Sequence, residues 1–179
     1  MSVLSTLPAG TYNIDPSHSR VGFSARHAMV TKVRGSFNDY AGAAVVADGA
    51  ASLNIDITVA SIDTRSADRD GHLQSPDFFD VANFPKITFK STSVKDDGAG
   101  IVVDGELTIK DVTKPITIEF EYTGTATDPF GNARYGFEGD SEINRKDFGL
   151  TWNAVLETGG ILVSENIKLE FEISTIAAK

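Results

Sequence analysis

Apolar and polar residues alternate with a period of two along most of this chain. Val21, Phe23 and Ala25 fall on one side of their segment, with Arg20, Ser24 and Arg26 on the other. Leu53 to Val59 alternates without a break, as do Ile116 to Tyr122 and Ile167 to Ile173. Successive side chains of a β-strand point to opposite faces, so these runs predict half-buried strands. One apolar and one polar face per strand is the signature of an antiparallel sheet wetted on one side. Turn signals lie between the runs: Asp48-Gly49, Asp96-Asp97-Gly98, Lys110 to Pro115 and Asp128 to Asn132. About eight short strands joined this way predict an all-β sandwich or small closed barrel.

One segment departs from the alternation. Ser66 to Val81 reads SADRDGHLQSPDFFDV. Ser75 followed by Pro76 has the look of an N-cap with a first-turn proline, and Asp77 suits a helix N-terminus. One or two short helices are predicted here. No linker or repeat argues for a second domain, so residues 1–10 are read as an N-terminal extension and 11–179 as one domain.

Composition narrows the functional classes. The 179 residues carry 25 Asp and Glu against 16 Lys and Arg, a net charge of −9. An acidic surface opposes nonspecific attraction to nucleic acid or anionic lipid. Cysteine is absent, which removes thiolate chemistry and Cys-ligated zinc. No G-x-S-x-G elbow, phosphate-binding glycine loop or dinucleotide fingerprint is present. Asp147-Phe148-Gly149 lacks every companion of a kinase motif and reads as a strand-end turn. The three histidines, His18, His27 and His72, have no metal-motif spacing, so neither a metal nor another cofactor is expected. No run is long and apolar enough for a helical membrane span. The N-terminus has no basic region followed by an apolar core, so the expectation is cytoplasmic, with a removed export signal as the alternative.

Two constellations remain. Phe23, Phe37, Phe89, Phe120, Phe137 and Phe171 fall on alternating strand positions. They either fill a core or line a tunnel. Gly35, Gly42, Gly105, Gly136 and Gly139 beside them leave volume that the rings need not fill. The helical insert gathers Arg69, Asp70, His72, Phe78 and Phe79. It is either a plug of the core or a polar cluster at a barrel mouth.

The motifs, taken in order, give a resemblance. Asp15-Pro16-Ser17-His18-Ser19, Arg34-Gly35-Ser36-Phe37, Arg69-Asp70-Gly71-His72-Leu73 and Asp77-Phe78-Phe79-Asp80 come first. Phe84 to Ser91, Gly105 to Lys110, Val112 to Pro115 and Ile143 to Gly149 follow. Over residues 11–176 the chain resembles the YceI-like family of lipid-binding, or polyisoprenoid-binding, proteins. The resemblance implies a lipocalin-like antiparallel barrel holding a long-chain amphiphile, a polyisoprenoid or fatty-acid derivative, in its lumen. It implies His27, Arg69, Asp70 and His72 as head-group or mouth residues, and Trp152 beside the lumen. Phe78 and Phe79 match its aromatic pair and are either mouth or core.

Three functions are carried forward. The first is binding and sequestration or transport of such a lipid, with no catalytic residue. The second is an enzyme using His27 or His72 with Asp70 as acid and base. The third is a structural barrel with a filled core. Pairing into a homodimer is left open.

Overall fold

The computed structural model describes residues 2–157 and 159–179. After a short helix α1 (Val3–Thr6) come strands β1 (Gly10–Ile14), β2 (Arg20–His27), β3 (Thr31–Phe37), β4 (Tyr40–Ala47) and β5 (Ala50–Thr58). A two-residue strand β6 (Ile62–Asp63) leads into helix α2 (Ala67–Gln74). Strands β7 (Lys86–Asp97), β8 (Gly100–Ile109), β9 (Val112–Thr127), β10 (Ala133–Asn144) and β11 (Asn166–Ala177) complete the chain.

Two pairs of segments are single strands bent in the middle. Pro16, with no N–H to donate, interrupts the run from β1 to β2, and the Asp15 side chain accepts from Ser17 N at 3.0 Å to hold a 3₁₀ turn there. Asn38 and Asp39 make the matching bend between β3 and β4. β1 pairs with β4 and β2 with β3, so the bent strands run side by side. Counting each as one stave gives eight, in the order β1/β2, β3/β4, β5, β7, β8, β9, β10, β11. The ring closes where β11 pairs with β2 and then with β1. Neighbouring strands are antiparallel throughout.

The alternating runs became β2, β5, β9 and β11, with their apolar sides inward. One turn is shorter than expected. Only Lys110 and Asp111 turn, both with positive φ, and β9 already begins at Val112. Pro115 therefore lies inside a strand, in the half of β9 whose ladder runs to β8 alone. A proline is tolerated there because its missing donor would have faced the unpaired side.

The helical insert also differs in detail. The N-cap is Ser66, whose side chain accepts from Arg69 N, and α2 ends at Gln74. Ser75-Pro76 does not start a second helix. The chain folds back instead, with Phe79 N donating to Leu73 O and Val81 N to Gln74 O, both within 3.0 Å. That return satisfies the last carbonyls of α2 and drives Phe78 into the interior, where it is buried.

Phe rings lie flat on the wall rather than across the lumen. Phe23 stands opposite Gly35, and a Cβ on that glycine would fall 2.4 Å from the ring. Phe89 covers Gly105 on the adjoining strand with the same 2.4 Å approach, and Phe120 stands opposite Gly139. These glycines face inward, so each makes a shallow seat for a neighbouring aromatic. The seats explain how so many phenylalanines leave the centre open.

Candidate functional site

The barrel encloses a cavity of about 380 Å³, within the size range of small-molecule sites. Phe23, Phe37, Phe89, Phe120, Phe137 and Phe171 all line it, with aliphatic residues of every stave between them. Trp152, Phe78 and Phe79 line one end, and His27, Arg69 and His72 lie on the same lining.

We call this end the mouth. Three segments build it: the tip of the β2–β3 hairpin, α2 with its return turn, and residues 150–157 and 159–165 before β11. The His72 ring stands edge-on to Trp152 at 4.7 Å and to Phe78 at 5.1 Å between centroids. Its Nε2 pairs with Asp77 Oδ2 at 2.8 Å. The alternative enzyme reading paired His27 or His72 with Asp70; the carboxylate on His72 is Asp77. His18 is off the cavity, exposed and paired with Asp15.

Asp70 is not on the lining. It accepts from Thr64 N at 2.8 Å and from Thr64 Oγ1 at 2.5 Å. Thr64 is buried, and Arg69 donates to it twice, from Nε to Oγ1 at 2.8 Å and from Nη2 to the carbonyl at 2.6 Å. Asp70 therefore orients Arg69 through Thr64. The family resemblance implied Asp70 as a mouth group, yet its carboxylate finds nearer donors in Thr64, between β6 and the helix.

A second cation was missed. Arg145 is buried at the end of β10, on the lining, and has no carboxylate bound to it among the described residues. It donates to the carbonyls of Ser164 at 2.8 Å, Leu150 at 2.6 Å, Trp152 at 2.9 Å and Val163 at 3.3 Å. It is thus the knot that ties 150–165 to the barrel. Burial pulls its pKa down from the ordinary guanidinium value, with Glu165 acting the other way. The signal was available: Phe137, Gly139 and Ile143 face inward, and the same parity carries on to Arg145.

The charged side chains on the lining are Arg26, Arg69 and Arg145, joined by His27 and His72. No Asp or Glu is among them, in a chain with nine more acids than Lys and Arg. An aliphatic lumen that ends in cations and aromatics can hold an apolar chain and face an anionic group at its end.

The opposite end is a floor. Leu4 and Leu7 reach the lining there, beside Val46, Val94 and Ile101. Asp96, at the end of β7, holds α1 in place by accepting from Ser2 Oγ at 2.5 Å and Leu4 N at 2.8 Å. This extension was set aside on sequence; the apolar spacing of Leu4 and Leu7, one helical turn apart, was the clue to its packing.

Together these features define a class: a closed antiparallel barrel with an apolar interior and one cationic end. The family model of the YceI-like domain matches residues 12–175, and the chain belongs to that family. A UPF0312 protein of Yersinia pestis (strain Pestoides F) is 42% identical over 148 residues, 80% of this chain and 77% of the relative. The crystal structure of a Campylobacter jejuni YCEI protein is 29% identical, with a TM-score of 0.73 over 86% of this chain and 90% of that one. A polyisoprenoid binding domain from Saccharophagus degradans, implicated in plant cell wall breakdown, has the same fold, with a TM-score of 0.71. It covers 96% of this chain and 100% of its own at 15% identity.

Proposed function

We propose that this protein binds and carries a long-chain amphiphile with an anionic head group, a polyisoprenoid or fatty-acid derivative. The observation that carries the reading is the distribution of charge on the cavity: apolar along its length, cationic at the mouth, free of carboxylates. Each CH₂ moved from water into the lumen contributes about 0.8 kcal/mol, reduced by the losses of binding. Arg69 lies on the lining with Nε and Nη2 donating to Thr64, and a guanidinium fixed there suits a carboxylate or phosphate. The likeness to a polyisoprenoid binding domain supports the same class of ligand.

The test is native mass spectrometry of protein from its own host, then organic extraction and lipid mass analysis. A bound species of long-chain mass is expected, lost in a folded Phe120→Asp variant. Lipid that still co-purifies with that variant would show that the lumen is not the binding site.

The His72–Asp77 pair gives a second reading some footing, because a carboxylate-oriented imidazole is a general base in form. On that reading an extracted lipid incubated with the protein is turned over, and His72→Ala abolishes the turnover. Unchanged lipid after long incubation removes it.

A further inference from the structure

The hairpin between β2 and β3 departs from the rest of the surface in three ways. From Pro16 to Asn38 the chain has no Asp or Glu, while Arg20, Arg26, Lys32 and Arg34 are all cationic. Arg26 and Lys32 are direct cross-strand partners, and Arg34 follows two residues along. Like charges opposite each other in a sheet repel. Among the described residues no ion pair joins Arg26, Lys32 or Arg34 to a carboxylate.

The tip is the second departure. Ala28 and Met29 have φ of 49° and 62°, and Val30 N closes the turn on His27 O. Left-handed backbone at both central positions calls for Asn-Gly, and side chains such as Ala and Met are strained there. The third is exposure: Met29 is 64% exposed and Val30 74%. A turn chosen for stability would carry neither Ala28 nor Met29 at these left-handed positions. Strain and repulsion here accompany two largely exposed apolar side chains beside a band of positive charge, with the Met29 sulfur resting on Gly160 of the mouth loop.

The position of this tip matters. Arg26, His27 and Val33 of the same hairpin line the cavity, and Ala28 N donates to Leu162 O of the mouth loop at 2.8 Å. The tip is therefore the outer lip of the mouth.

We propose that this lip docks on an anionic lipid bilayer. Met29 and Val30 enter the acyl boundary while Arg26, Lys32 and Arg34 rest on the head groups, as in other interfacial anchors. Docked this way, the mouth opens onto the membrane, so an apolar chain passes between bilayer and lumen with little contact with water. The net charge of −9 keeps the remaining surface off the bilayer and sets the orientation. The proposal takes its purpose from the carrier reading but is tested separately, since vesicle binding reports the lip and extracted lipid reports the lumen.

The experiment is co-sedimentation of the full-length protein with phosphatidylcholine vesicles, with and without phosphatidylglycerol. Binding is expected only with phosphatidylglycerol, and it weakens as salt rises. Lys32→Gln with Arg34→Gln lowers partitioning about fivefold for each charge removed. Ala28→Asn with Met29→Gly relaxes the turn, so it raises the melting temperature and lowers partitioning in the same protein. A merely structural lip would move both in the same direction. Wild-type protein that ignores anionic vesicles, or either variant binding them as wild type does, overturns the proposal; the first result would point instead to an acidic protein partner.

Discussion

The two ends of the barrel are closed by opposite means. At the mouth, a buried cation, Arg145, grips four backbone carbonyls and holds a long irregular stretch in place. At the floor, an exposed carboxylate, Asp96, grips one hydroxyl and one backbone N–H and holds a four-residue helix. The mouth presents charge and aromatic edges to the lumen, whereas the floor presents leucine and other mainly apolar groups and no charged side chain. On the proposed carrier function, the cationic end would sort ligands by head group and the uncharged end by chain length. The first anchor is expensive to break and the second is cheap, so the two ends should respond very differently to mutation and to acid.

Breaking the mouth has the largest expected effect. Arg145→Met leaves four carbonyls to find new partners and should cost about 3 kcal/mol or more in urea unfolding. Limited proteolysis should then cut within 150–165 before any strand. Cleavage at an unchanged rate would mean that Arg145 does not hold this stretch.

The wall between the two ends comes next. Gly105→Ala places a methyl against the Phe89 ring and the Lys90 carbonyl. The ring must swing into the lumen, costing about 1–3 kcal/mol. Bound lipids should shift to shorter or thinner chains in mass spectra of the extract. An unaltered lipid profile in a folded variant would show that the glycine seat does not set the free volume.

The floor is the milder target. Asp96→Ala removes two hydrogen bonds, worth about 1 kcal/mol each or less at an exposed site. Stability should barely change, but the limit on chain length should. Across a series of saturated fatty acids, affinity rises about fourfold per added CH₂ while the chain is being buried, then levels off at the floor. In Asp96→Ala that plateau should move to longer chains; a fixed plateau would place the stop elsewhere.

Acid offers the finest comparison. The Ser2 hydroxyl, followed by the Leu4 and Val3 amides, holds the Asp96 carboxyl below its ordinary value against a smaller opposing effect of burial. Its contribution is therefore whole above the unfolded-chain value of about 3.9 and is lost as pH falls through the folded value. NMR of the Leu4 amide should follow this protonation below about pH 4, while the Leu150 amide, which donates to the Arg145 carbonyl at the mouth, stays unmoved. Asp15 and Asp128, held much further below the ordinary range, Asp15 chiefly by Arg134 and Asp128 chiefly by the Asn132 amide, should let go of Arg134 only in stronger acid than Asp96 needs. Movement of both ends together would mean that they are coupled through the barrel.

Much of the wall was legible in the sequence because a period of two leaves little freedom. Once Val21, Phe23 and Ala25 share a face, the strand and its inward side follow. The ends were less legible, since they are built from contacts between segments far apart in the chain. Nothing near Asp96 announces that it will meet Ser2, 94 residues away. Asp70 and Asp77 are both within reach of His72 along the chain, and only the fold-back after Ser75 decides that Asp77 is the partner. Whether the phenylalanines would fill the lumen or line it depended on which glycine lay under each ring. That is a matter of register between strands, which alternation alone does not fix.

The last strand has a consequence for how the protein is made. β11 has three neighbours: β10 along its whole length, β2 on the first part of its other edge and β1 on the second. Ile14 meets Thr175 and Tyr12 meets Ala177, so the seam joins residues from opposite ends of the chain. Contacts so distant in sequence form late and slowly. Until residues near 177 leave the ribosome, the other staves are a curled sheet with an open side, and the lumen does not yet exist as a compartment. Loading therefore has to wait for β11, and a nascent chain still without this keystone is the stage most exposed to aggregation.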